Sequence, residues 1–172
     1  MSDPHILAPY MRRARQYLNV HSFGVNIKDF LGDGTDGAVW ATTNSTAVKV
    51  FERPGGYFNE RDTYQRLKEF GFTESIEGFW VPEMHGYDDD LMVVEMDFIQ
   101  SPPYIIDFAK VRIDRPPDFS EETLSDLEVK GQSLFGEDWG RVKLLMATLE
   151  SIQIYYLDPN ASNIVLRPRD TQ

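Results

Sequence analysis

The stretch Leu31-Gly-Asp-Gly-Thr-Asp-Gly-Ala-Val39, followed by the run Thr46-Ala-Val-Lys-Val-Phe51, decides how this chain reads. Gly32, Gly34 and Gly37 remove the side chains that would hold a backbone away from phosphates. Val39, Ala47 and Lys49 supply the apolar wall and the cation that a nucleotide site needs beside such a turn. Between the two halves, Asn44-Ser45 suits a tight hairpin turn, and the β-branched and aromatic flanks suit pleated strands. Alternation along the return strand puts Ala47, Lys49 and Phe51 on one face and Val48 and Val50 on the other, so a lysine stem is buried beside an alanine.

Arg53-Pro-Gly-Gly56 breaks that strand, and Asn59 is expected to cap a helix running to about Phe70, before Gly71. Glu60, Tyr64 and Leu67 share one face of it. A carboxylate on an apolar face needs a partner, and Lys49 on the adjacent strand offers one; a first-turn acid favouring the helix dipole is the alternative. Residues 81–87 and 91–99 read as two further strands joined at Asp88-Asp-Asp90, which reads as a solvated hairpin tip rather than a metal site.

Upstream, a short helix carries Tyr10, Met11, Ala14, Tyr17 and Leu18, with Arg12, Arg13 and Arg15 as its solvated face. Residues 100–138 read as a connector with two proline pairs and one helix signal where Ser120 precedes Glu121. From Trp139 to about Gln153 an amphipathic helix is predicted, with Val142, Leu145, Leu149 and Ile152 on one stripe. It delivers the chain to Ile154-Tyr-Tyr-Leu-Asp-Pro-Asn-Ala-Ser-Asn-Ile-Val-Leu166.

With 172 residues and 41% hydrophobic side chains, the chain has enough apolar surface to bury a core. A formal net charge of -11 argues against a nucleic-acid surface, because neutralising phosphates takes an excess of Lys and Arg. The absence of cysteine excludes disulfides, thiolate metal sites and cysteine nucleophiles, and fits a cytoplasmic location. No segment offers the roughly 18 uninterrupted apolar residues of a membrane span, so a soluble protein is expected. His5, His21 and His85 stand apart from one another and from acidic pairs at ligand spacing.

Taken in order, these parts resemble the protein-kinase-like fold, including small bacterial protein kinases and the aminoglycoside and choline kinase relatives, from about Leu31 to Leu166. The resemblance implies an α+β architecture: an antiparallel five-stranded N-lobe with one helix over residues 1–99, then a hinge, a connector and a partial helical C-lobe over 100–172. It implies ATP and magnesium as ligands. Lys49 would hold phosphates and pair with Glu60. Main-chain groups of Glu95 and Asp97 would read the adenine edge, with Val94 behind it, and Val39, Ala47 and Val165 would enclose the base. Asp158-Pro-Asn-Ala-Ser-Asn163 has the spacing of a kinase catalytic loop, in which Asp158 would orient the acceptor hydroxyl and Asn163 would help to bind magnesium.

The sequence also departs from the family. No Asp-Phe-Gly-like element follows Ile164-Val-Leu166, and Asp170 lies on the order of 20 Å beyond Asn163 along an extended chain. Tyr156 and Leu157 replace the histidine and arginine of the protein-kinase catalytic loop, Asn160 replaces a cation, and Asp33 and Asp36 make the glycine turn acidic. Two other functions follow from these departures. One is a pseudokinase, a regulatory module that meets a protein partner or a second copy through its incomplete C-lobe. The other is an unrelated α+β interaction protein whose glycine turn is simply a hairpin.

Overall fold

The computed structural model describes residues 4–105, 107–157 and 159–166. Helix α1 (Pro4–His21) leads into strands β1 (Ile27–Gly34), β2 (Gly37–Thr42) and β3 (Thr46–Phe51), then α2 (Pro54–Glu69), β4 (Ser75–Ile76), β5 (Phe79–Trp80), β6 (Met84–Asp88) and β7 (Val93–Asp97). Five of these strands form one antiparallel sheet in the order β1-β2-β3-β7-β6. The fold is therefore α+β.

The two faces of the sheet follow the alternation of β3. Val48 and Val50 turn toward α1, where Ala14, Tyr17 and Leu18 bury them together with Ala38, Trp40 and Val93. Ala47 and Phe51 turn the other way, into a core shared with Tyr57, Tyr64 and Leu67 of α2. Arg13 does not belong to the solvated face of α1. Its guanidinium reaches across the sheet edge and donates to the carbonyls of Phe51 at 2.7 Å and Leu91 at 3.0 Å, while Arg12 and Arg15 stay exposed.

Helix α2 starts earlier than Asn59. Arg53 is its N-cap and Pro54 its first residue, a position where the fixed φ of proline suits the helix and its missing N–H costs nothing. Glu60 accordingly sits in the second turn, where the dipole gives it little reason to be acidic. The acidic hairpin tip is exposed at Asp89 and Asp90, as expected, and two of its aspartates also hold neighbouring elements. Asp88 accepts from the Leu91 N–H at 2.9 Å and pairs with His21, and Asp89 accepts from Tyr57 Oη and Arg61 Nη1, each at 2.6 Å.

The expected connector holds regular structure: β8 (Tyr104–Ile105), β9 (Val111–Ile113) and α3 (Glu121–Phe135), followed by α4 (Trp139–Ser151), β10 (Ile154–Tyr156) and β11 (Ile164–Val165). Ser120 caps α3 by accepting from the Thr123 N–H at 3.2 Å. β8 pairs antiparallel with β11, and β9 antiparallel with β10. A single core joins Ala47, Val94 and Met96 of the large sheet to Val142, Leu145, Leu149, Ile154 and Ile164, so the boundary at residue 99 does not divide it.

Candidate functional site

The site is built on the sheet face opposite α1. In β3, Lys49 lies directly across from Val39 of β2 and Val94 of β7, while Ala47 lies across from Ala41 and Met96. Residues directly opposite one another project to the same face, so Val39, Ala47, Lys49, Val94 and Met96 form one wall. Met96 is buried and was not anticipated there, although two-residue alternation from Val94 points to it.

Lys49 enters a nearly closed charge centre. Its Nζ lies 2.5 Å from Oε2 of Glu60 and 3.2 Å from Oδ1 of Asp107, with the Phe51 ring centroid 4.9 Å away. The Glu60 side chain is wholly buried, and its Oε1 has no hydrogen-bond partner among the described residues. Burial pushes Glu60 up to about 7 against the pull of Lys49, with the charges of Asp107 and Asp36 adding to the rise. Burial would also lower Lys49 and raise Asp107. Instead the two carboxylates hold Lys49 above its ordinary value, and Lys49 with the Ala109 N–H holds Asp107 below its own. Burial thus favours the protonated form of Glu60, while Lys49 and Asp107 hold each other in their charged forms.

Asp107 is the member of this charge centre that chain order concealed. Tyr104-Ile-Ile-Asp-Phe-Ala109 has the Asp-Phe pattern sought after residue 166, but it lies before the catalytic-loop-like segment. The Ala109 N–H donates to the same Oδ1 of Asp107 at 3.0 Å, and Tyr156 Oη donates to the Asp107 carbonyl at 2.8 Å. Phe108 sits edge-on between Tyr64 of α2 and Tyr156 of β10, with centroids 5.4 and 6.3 Å away. Tyr64 Oη donates in turn to the Met96 sulfur at 3.4 Å. This aromatic column fixes Asp107 relative to α2 and to the strand that precedes Leu157.

Asn163 is buried immediately before β11, and Asp107 follows β8 by two residues. Because Ile164 pairs with Ile105, both lie at the same end of that ladder. Asn163 Oδ1 accepts from Ser162 Oγ at 3.1 Å. Val165, across from Tyr104, is half-buried on the next strand position. Asp158 lies outside the described residues.

The glycines of the turn differ in kind. A Cβ on Gly37 would stand 1.9 Å from the Val50 carbonyl, at a φ of 144° that side chains rarely adopt, so the β2–β3 pairing itself demands glycine. A Cβ on Gly32 or Gly34 would meet nothing within 4 Å, which leaves that side of the turn open to a ligand.

The main chain of Glu95 and Asp97 is not placed as expected. Glu95 is paired inside the sheet with Val48 and Gly86, and its buried carboxylate turns to the α1 side, accepting from Ser22 Oγ at 2.8 Å and Thr46 Oγ1 at 2.7 Å. The Asp97 N–H donates to the Glu83 carbonyl at 3.0 Å, and its carboxylate accepts from the Glu83 N–H and meets His85. Sheet pairing thus takes the groups assigned to an adenine edge.

Neither a scan against protein-family models nor a comparison with curated proteins gives a match. Among the described residues no group of three or more His, Asp or Glu side chains is arranged to hold a metal, and no helix is long and apolar enough to cross a membrane.

Proposed function

We propose that this chain is a kinase-like nucleotide-binding protein in which ATP lies between the glycine turn and the β8–β11 ladder and its terminal phosphoryl group passes to a hydroxyl acceptor. The observation that carries this reading is the position of Asp107, which meets the Lys49–Glu60 pair and flanks the same end of the β8–β11 ladder as Asn163, although it precedes the catalytic-loop-like segment in the chain. Lys49 would hold the phosphates, and Glu60 would keep the ammonium in place. Val39, Ala47, Met96 and Val165 would enclose the base. The Asp107 carboxylate and the Asn163 amide are hard oxygen donors and suit magnesium, which keeps several waters and takes its remaining ligands from phosphates. When bound, the metal would neutralise charge on the transferring phosphoryl group. Asp158 would accept the proton of the attacking hydroxyl, so that a P–O bond to the acceptor forms as the bond to ADP breaks.

A second reading, a nucleotide-binding module without transfer, is favoured by Asn160. Its Oδ1 caps the turn through Ser162 and brings no positive charge to the place where the family has a cation. Transfer of labelled phosphate by the wild type but not by Asp158→Asn decides between the two.

The test of the shared core is calorimetric titration of ATP with and without magnesium. Lys49→Ala is expected to weaken binding by about tenfold or more, since a charge-assisted contact is worth about 1.5–3 kcal/mol. Asp107→Asn is expected to abolish the gain that magnesium gives. Failure of the wild type to bind millimolar ATP under either condition rejects the reading.

A further inference from the structure

We propose that Arg66 is a positioning residue that couples the helix bearing Glu60 to the β9–β10 strand pair, whose Tyr156 holds the Asp107 carbonyl, so that Lys49 meets both carboxylates at once; the inference rests on the nucleotide reading above. Arg66 lies on α2 six residues after Glu60, about 9 Å further along the axis at 1.5 Å per residue. Its guanidinium grips Asp114 with two bonds, Nη1 to Oδ1 at 2.7 Å and Nη2 to Oδ2 at 3.0 Å, and Nη1 also donates to the Gln153 carbonyl at 3.3 Å. The Asp114 N–H donates to that same carbonyl at 3.1 Å.

These partners occupy one end of the β9–β10 ladder. Asp114 directly follows β9 and Gln153 directly precedes β10. Tyr156 lies at the other end, across from Val111, and its Oη donates to the carbonyl of Asp107, just upstream of β9. The ladder is therefore pinned to α2 at both ends, through Arg66 at one and through the Lys49 centre and the Phe108 column at the other. Asp114 and Gln153 both hold left-handed backbone, with φ of 61° and 62°, where glycine would sit with less strain. What aspartate adds at such a corner is its carboxylate, and that carboxylate is spent on Arg66.

The pair flanks an open polar hollow of about 870 Å³ that Asn59, Asp62, Arg112 and Arg115 also line. Asp114 is largely exposed, so solvent screening leaves the pair little to add to global stability, and its contribution is geometric. That separates a positioning role from a structural one.

The experiment titrates ATP into Arg66→Gln, Arg66→Lys, Asp114→Asn and the Arg66→Gln/Asp114→Asn double variant, with and without magnesium. Arg141→Gln is the control, since Arg141 similarly donates to a backbone carbonyl, that of Gly78, and lies over the Phe79 ring. Arg66→Gln and Asp114→Asn are each expected to cut the magnesium-dependent gain in affinity about tenfold, a common size for coupling between sites. The double variant should lose no more than either single one. Arg66→Lys should fall between, because an ammonium cannot reproduce the two-pronged grip. Arg141→Gln should leave the gain unchanged.

An unchanged gain in Arg66→Gln, or an equal loss in Arg141→Gln, overturns the proposal while the nucleotide reading stands. Absence of ATP binding by the wild type rejects that reading and this inference with it. Should Arg66→Gln fail to fold, as read by circular dichroism, Asp114→Asn and Arg66→Lys carry the same comparison.

Discussion

At the scale of single residues, Lys49 and Glu60 make stability depend on pH in an unusual direction for a carboxylate. The folded pKa of Glu60, about 7, lies above its unfolded value, so protonated Glu60 contributes stability that is full below about pH 4.5 and is lost as pH rises through 7. Urea unfolding from pH 5 to 8 should show the wild type losing up to about 2–3 kcal/mol that Glu60→Gln does not lose, because each tenfold difference in proton affinity between folded and unfolded chains is worth about 1.36 kcal/mol. Lys49→Met should cost more at pH 8 than at pH 6, by roughly 1 kcal/mol or more, because a neutral Glu60 needs no cation whereas a charged one does. The pairing of these two side chains was legible in the sequence, since a two-residue period in β3 and a helical period in α2 each place one of them on an apolar face. Asp107 was not. Nothing local distinguishes Ile-Asp-Phe in a proline-flanked stretch, and its proximity to Lys49 depends on β8, a strand of two residues with no periodicity to read.

At the scale of elements, the glycine turn and the α3–α4 contact separate glycines demanded by folding from glycines open to a ligand. Gly37→Ala should destabilise by several kcal/mol, about 2 or more, because the Val50 carbonyl occupies the space the methyl needs. Gly34→Ala should stay within about 0.5 kcal/mol of wild type and yet weaken ATP binding, as read by thermal unfolding beside titration. Gly131 belongs with Gly37, since an added Cβ would stand 2.3 Å from the Trp139 ring that stacks on Phe135. Strands β2 and β3 and helix α4 could be read from pattern because apolar side chains mark their buried positions; β1, exposed along most of its length, carries no such pattern. The start of α2 misled because Pro-Gly-Gly resembles a breaker, whereas proline at the first helical position begins the helix. The adenine-edge assignment failed for a related reason: sequence alone does not say where β7 stops pairing, and Asp97 is still held by Glu83.

Over the whole molecule, one core runs from the sheet into α4 and β10, so both halves should unfold together. Trp40 reports on the α1 side and Trp139 on the α4 side. With Trp80 replaced by Phe, the fluorescence melt of each of the Trp40→Phe and Trp139→Phe variants should coincide with that same variant's circular-dichroism melt, and transitions several degrees apart within one variant would show two independent units. The order of motifs suggests two lobes; a core continuous across residue 99 could not be anticipated, because it depends on short strands that cross the expected boundary. Those strands also set the sequence of events during synthesis. The five-stranded sheet is complete in the chain by Asp97, and β8 can pair with β5 as soon as Tyr104 is made, whereas its second neighbour, β11, waits for Ile164. As translation proceeds from the N-terminus, the sheet and α1 can fold before β10 and β11 exist, and the supports that Tyr156 and β11 give to the Asp107 segment are among the last to form. A nascent chain thus presents Lys49 and Glu60 before the Asp107 segment has its last supports, which leaves an interval in which a chaperone would meet a finished sheet with an unfinished centre.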